Sequence, residues 1–147
     1  MKETIAVVSG STLGSAEYVA EHLNDLLQQD FATTLIHGAH LDDIIEYKIW
    51  LIVTSTHGAG ELPDNLKPLF KQIRQQNPNL TDLRFAVVCL GNSDYDTFCF
   101  AADTVQSVLT EKSAVEICPC LKIDTLTVED NEQYAENWLP QFIQGLA

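Results

Sequence analysis

Between residues 9 and 16 the chain reads Ser9-Gly10-Ser11-Thr12-Leu13-Gly14-Ser15-Ala16: two glycines, four hydroxyls and no charge. Where such a loop runs into a helix, backbone N–H groups and hydroxyl donors converge and can hold an anion without a lysine. A terminal phosphate suits that donor set, and a tight turn with a helix cap is the plain alternative. The spacing is neither a P-loop, which ends in Gly-Lys-Ser/Thr, nor the Gly-x-Gly-x-x-Gly of a dinucleotide fold. Two further loops, Ser55 to Asn65 and Leu90 to Cys99, add glycines, a histidine (His57) and a tyrosine (Tyr95).

Other chemistries fail on these residues. A phosphoacceptor of the receiver type needs an aspartate ending the third strand, where this chain has Thr54-Ser55-Thr56. A hydrolase elbow needs Gly-x-Ser-x-Gly, and Ser11 follows Gly10 directly. Cys89 lacks the downstream arginine of a phosphatase loop. Cys89, Cys99, Cys118 and Cys120 make no Cys-x-x-Cys pair and are too few for a disulfide scaffold, so they read as small buried hydrophobes. A zinc site from Cys118, Cys120 and a histidine would depart from the usual ligand spacing. His22, His37 and His40 read as structural or solvated.

The elements that must position the loops follow from the apolar pattern. Strand-length runs occur at Ile5 to Ser9, Thr33 to His37, Ile49 to Ser55, Arg84 to Leu90 and Val115 to Ile123. Their β-branched content fits strands buried on both faces, as in parallel sheets. Helical faces lie between them: Val19, Ala20, Leu23, Leu26 and Leu27; Leu66, Leu69, Phe70 and Ile73; Ala101, Val105, Val108 and Leu109. A last one, from Ala135 to Leu146, contains Pro140, which predicts a kink or irregularity. The crossover from His37 to Ile49 has room for only a short helix around Leu41 to Glu46. Strict alternation predicts a doubly wound α/β sheet, five parallel strands in the order 2-1-3-4-5 with helices on both faces. That order places the switch point between strands 1 and 3, so the three loops should converge beyond the strands' carboxyl ends.

The 147 residues read as a single domain, 1–147, with no linker or repeat; 46% of them are apolar, enough for a full core. No apolar run approaches membrane-spanning length, and the stretch after Met1-Lys2-Glu3-Thr4 is too short for a secretory signal, so the expected location is cytoplasmic. Eight basic against 21 acidic side chains give a net charge of −13, which disfavours nucleic acid and anionic membranes and suits a basic protein partner.

Taken together the three loops carry a resemblance. Gly10 to Tyr18 resembles the FMN phosphate loop of the flavodoxin family, Ser55 to Asn65 the second flavin loop, and Leu90 to Cys99 the third. The likeness spans essentially the whole chain and lacks the extra segment of long-chain members. Within the short-chain flavodoxins the Ser-Thr-Leu-Gly, Ser-Thr-His-Gly-Ala-Gly and Tyr-Asp-Thr-Phe-Cys strings look closest to the MioC group.

The resemblance implies roles. Ser11, Thr12, Ser15 and Ser55 would donate hydroxyls to the FMN phosphate, and the amides of Leu13, Gly14 and Ala16 would complete the cradle. Thr56, Gly91 and Asn92 would line the site. Tyr95 would lie flat on the isoalloxazine ring, Leu62 would cover its dimethylbenzene edge, and Phe98 would sit in the core beside it. His57 stands where many short-chain members have a tryptophan; either it covers the ring loosely and responds to pH, or it is a plain loop histidine. Gly58-Ala59-Gly60 would supply the peptide that turns toward the reduced ring, glycine tolerating positive φ. Leu13 and Ala16 replace threonines common in the family. Each missing neutral hydrogen bond is worth roughly 0.5–1.5 kcal/mol, so FMN affinity should be lower than in a typical member.

With no basic side chain in the loops, Glu61, Asp64, Asp94 and Asp96 should face the ring uncompensated. A dianionic phosphate about 10 Å from a newly reduced ring would oppose its charge by roughly 3 kcal/mol at an effective dielectric near 20. That corresponds to a shift on the order of 0.1 V downward for one electron. The expected function is low-potential, single-electron transfer, an electron carrier in preference to an enzyme with its own substrate. The implied donor is an NADPH-dependent flavodoxin reductase, and biotin synthase is a candidate acceptor. Two alternatives stay open: an FMN-dependent oxidoreductase acting directly on a small quinone-like substrate, and a regulatory or interaction domain that has lost flavin.

Overall fold

The computed structural model of the protein describes residues 4–11, 14–56, 60–94 and 98–146. Chain order is β1 (Thr4–Gly10), α1 (Ser15–Leu27), β2 (Ala32–His37), α2 (Leu41–Ile44), β3 (Ile49–Ser55), α3 (Lys67–Gln76), β4 (Arg84–Gly91), α4 (Phe100–Glu111), β5 (Val115–Glu116), β6 (Leu121–Asp124) and α5 (Asn131–Gly145). The sheet is parallel in the order β2-β1-β3-β4-β5, and β6 also pairs with β4.

Each central strand feeds two cores because successive side chains point to opposite faces. Ala6, Val8, Trp50, Ile52, Phe85 and Val87 face α2, α3 and α4. Ile5, Val7, Leu51, Val53, Ala86 and Val88 face α1 and α5. The three-layer sandwich is thus written into the continuous apolar runs: neither face of β1, β3 or β4 can be left to water. Trp50 is buried with its indole N–H on the Ile44 carbonyl at 3.0 Å, which fastens the one-turn α2 to the sheet.

One expectation changes. The run from Val115 to Ile123 is two strands. Glu116 pairs with Phe85 and Leu121 with Val88, so five steps along one chain match three along β4. Pro119 falls in the excess segment, where a missing N–H cannot serve a ladder and a bulge accommodates it. The segment is held from α5: the Trp138 indole N–H donates to the Pro119 carbonyl at 3.1 Å. Gly145 approaches so closely that a Cβ there would stand 2.7 Å from the Ile117 oxygen. Pro140 lies inside the last helix, which runs through it to Gly145 with Trp138, Leu139 and Phe142 buried.

Candidate functional site

The parallel register levels the strand ends. Gly10 lies opposite Thr54, Ser55 opposite Leu90, and Gly91 opposite Asp124. The loops that follow β1, β3 and β4 therefore leave from one edge of the sheet.

In the first loop Ser11 is buried; its hydroxyl accepts from the Gly14 amide at 2.9 Å and donates to the Glu17 carboxylate. Gly14 occupies the N-cap of α1 at φ +86°, a left-handed backbone that glycine adopts without strain, and no side chain caps the helix. A Cβ at Gly14 would meet nothing within 4 Å. The first-turn amides, including those of Ser15 and Ala16, have no acceptor within the helix and form an electropositive end. Ala16 gives only its amide, since its methyl is buried in the core beneath. Thr12 and Leu13, two more of the expected contacts, lie outside the described residues.

In the second loop Ser55 is half-buried at the end of β3. The Thr56 amide donates to the Leu90 carbonyl at 3.1 Å and its hydroxyl lies 3.3 Å from the Cys89 sulfur, so that hydroxyl is already engaged. His57, Gly58 and Ala59 lie outside the described residues. Gly60 is buried at φ +94°, and Leu62 packs into the core below.

In the third loop Gly91 is closely packed: a Cβ there would stand 3.1 Å from both the Cys99 nitrogen and the Phe98 ring. Asn92 accepts the Asp94 amide at 2.9 Å, an Asx turn. Phe98 is half-buried against the core, just before α4. Tyr95 and Asp96 lie outside the described residues.

Several working residues escaped the sequence reading. Asp124 accepts the Ser93 and Leu126 amides at 3.2 and 3.1 Å, and the Ser93 hydroxyl beside it holds its carboxyl below the ordinary value. Thr125 closes on the same turn, its amide and hydroxyl both donating to the Gly91 carbonyl. Asn65 donates to Glu17 at 3.3 Å and so joins the second loop to α1, while its side-chain oxygen is buried with no partner. The available signal was position alone: Asp124 ends a strand at the edge from which the loops leave.

The expected uncompensated acid is corrected. Lys67, the first residue of α3, places its ammonium 3.1 Å from Glu61 and 3.2 Å from Asp64. The hydrogen bonds to Glu61 and then Asp64 raise its pKa. Asp94 is exposed with no ion pair among the described residues.

This donor set fits a phosphate monoester carrying a hydroxylated chain. Neutral hydroxyls and a helix N-terminus suit the phosphate. The orphaned Asn65 oxygen, an acceptor in want of a donor, suits a hydroxyl. Among the described residues no three His, Cys, Asp or Glu side chains assemble to hold a metal ion. No helix among them is long and apolar enough to cross a membrane.

The model of the flavodoxin family matches residues 7–138. The MioC homolog of Haemophilus influenzae is 65% identical over 143 residues, covering 97% of this chain and 98% of its own. A C101A mutant of the flavodoxin from Pseudomonas aeruginosa superposes with a TM-score of 0.91 at 38% identity, covering 97% of this chain and 98% of that one. The flavodoxin of Fusobacterium nucleatum, solved bound to flavin mononucleotide, shares the fold with a TM-score of 0.71 at 14% identity over 88% of this chain and 80% of that one.

Proposed function

The chain belongs to the flavodoxin family, and on that footing we propose that it binds FMN and carries single electrons from a reductase to an acceptor enzyme. The observation that bears most weight is the start of α1: an open Gly14 cap followed by first-turn amides with no partner inside the helix, beside the buried Ser11 hydroxyl. Bound there, FMN would supply the redox chemistry, and the protein would set its potential and expose one edge.

Ser11, Ser15, Ser55 and the amides of Gly14 and Ala16 hold the phosphate; Ser11 does so by turning its hydroxyl from Glu17 to the ligand, and Gly14 by exchanging the Ser11 oxygen for a phosphate oxygen. The Asn65 oxygen accepts from the sugar-alcohol chain. Gly60 supplies the left-handed backbone that lets the second loop pass close to the ring, and the Asp124 carboxylate holds the third loop in its turn. Thr12, Leu13, His57, Gly58, Ala59 and Tyr95 are assigned to the same site by family resemblance.

No basic side chain of this site neutralises the phosphate, which favours a low potential. Asp94 gives the rim a free negative charge that would steer a basic reductase, an NADPH-dependent flavodoxin reductase by resemblance. Biotin synthase is a candidate acceptor on the same ground.

Titration of apoprotein with FMN, followed by flavin fluorescence, tests the binding. Saturable quenching at one equivalent is expected, and flavin fluorescence unchanged by the protein even at the highest FMN and protein concentrations would refute it. Holoprotein that oxidises NADPH steadily only when the reductase is added supports the carrier role. Steady oxidation without the reductase would favour the direct oxidoreductase.

A further inference from the structure

The groove between α3 and α4 holds charges that electron carriage does not use. Lys67, Lys71 and Arg74 recur at spacings of four and three and so share one face of α3. Together with Leu62, Pro68 and Thr104 of α4 they line a groove of about 720 Å³. Lys67 is held by Glu61 and Asp64. Lys48, Lys112 and Lys122 also each face a carboxylate. Lys71 and Arg74, both exposed, have no ion pair or side-chain hydrogen bond among the described residues.

In a chain with 21 acidic and only 8 basic side chains, two cations left without carboxylates and one turn apart are conspicuous. Their mutual repulsion works against the helix. Arg74 lies in the last turn, where the helix dipole welcomes a cation. Lys71 sits mid-helix without that compensation. What the pair lacks is an anion.

The size of the groove falls in the range of small-molecule sites, and Leu62 and Pro68 give it an apolar wall. A large acidic protein would meet the repulsion of a surface with net charge −13, and of Glu61 and Asp64 at the groove's own rim. A small ligand meets mainly the local cations.

We propose that the α3–α4 groove binds a small organic anion with an apolar body, its carboxylate or phosphate held by Lys71 and Arg74 and its body against Leu62 and Pro68. The groove shares Gly60, Glu61 and Leu62 with the second loop, so the ligand lies beside the cofactor loop. The site is separate from the FMN phosphate cradle and does not depend on it.

The test is amide-shift NMR on the full chain with 2-naphthoate as probe, alongside neutral 2-naphthylmethanol, inorganic phosphate and hexaglutamate. Saturable shifts across Lys67 to Arg74 and at Thr104 are expected with 2-naphthoate. Binding should weaken about tenfold for the neutral analogue, and again about tenfold in the K71Q/R74Q double variant. Absence of saturable shifts at millimolar 2-naphthoate, or equal affinity in the variant, overturns the proposal. Phosphate binding as tightly as 2-naphthoate removes the apolar half of the site and overturns it too. Hexaglutamate binding in place of 2-naphthoate reassigns the groove to an acidic protein segment. FMN uptake by the same variant, measured separately, should be unchanged, so the groove and the cofactor site fail independently.

Discussion

Gly10 at the end of β1 lies directly beneath Leu66 at the N-cap of α3: a Cβ on Gly10 would stand 2.7 Å from the Leu66 Cβ and 3.2 Å from the Asn65 side-chain oxygen. The first loop and the end of the second are therefore set by one close contact, the Gly10 backbone against the Leu66 side chain, with no room for a methyl group unless Leu66 shifts. Gly10→Ala should destabilise the fold by about 1–3 kcal/mol, the usual cost of overpacking. Urea unfolding checks this, and a midpoint equal to the parent's would show that Leu66 can yield.

Ser11 joins the Gly14 amide to Glu17. Ser11→Ala removes one hydroxyl contact to the phosphate and should weaken FMN uptake by about 1 kcal/mol, roughly fivefold. Its effect should be larger on binding than on the urea midpoint. The reverse order would make Ser11 a purely structural cap.

Lys67 sets how much negative charge the second loop presents. Lys67→Gln releases Glu61 and Asp64 from their shared ammonium, and exchange with a basic reductase at low ionic strength should quicken. Because the pairs are exposed, the change should stay below about fivefold, within the small worth of surface ion pairs. Stopped-flow rates across a salt series should also show a steeper decline than in the parent.

Three of the four thiols, those of Cys99, Cys118 and Cys120, should be inert at neutral pH. Burial, helped by the Glu116 carboxylate, pushes Cys118 up to about 11. Burial first, then the neighbouring sulfur of Cys89 and Glu116, pushes Cys120 up to about 12. The hydrogen bond that the Cys99 thiol gives to Cys89, and then burial, raise Cys99 too, while the same bond lowers buried Cys89. At pH 8 a thiol of pKa 11 is about one part in a thousand thiolate, against about one in four for a free cysteine, so alkylation of Cys118 should run roughly two hundredfold slower than in unfolded chain. The folded values lie above the ordinary thiol value. The protonated thiols therefore contribute stability that is complete below about pH 9 and is lost as pH rises toward 11 to 12. A C118A/C120A variant should flatten the alkaline decline of the urea midpoint.

The sandwich could be read ahead of the structure because β1, β3 and β4 are unbroken apolar runs whose alternate residues serve two cores. The same periodicity located α1, α3 and α4. Ser11, Gly14, Ser15, Ala16, Ser55, Thr56, Gly60, Leu62, Gly91, Asn92 and Phe98 all fall in or beside the loops at the carboxyl edge, as the alternation of elements requires. What pattern could not show was contact across long separations. Asp124 reaches back to Ser93, and Asn65 reaches Glu17. Neither has a local signature, since each depends on where the sheet's register brings remote ends together, whereas Lys67 pairs with carboxylates only three and six residues away and was within reach of local spacing. The divided last strand did have a signal, Pro119, which a run of β-branched neighbours outweighed.

The interruption at Pro119 has a consequence for association. A sheet's outermost strand offers its spare N–H and C=O groups as a template on which another chain can zip. Here that border is two short pieces, Val115–Glu116 and Leu121–Asp124, set out of step by the segment that Trp138 grips from behind. A docking polypeptide would lose its ladder after a few residues, so the molecule resists polymerising through this border.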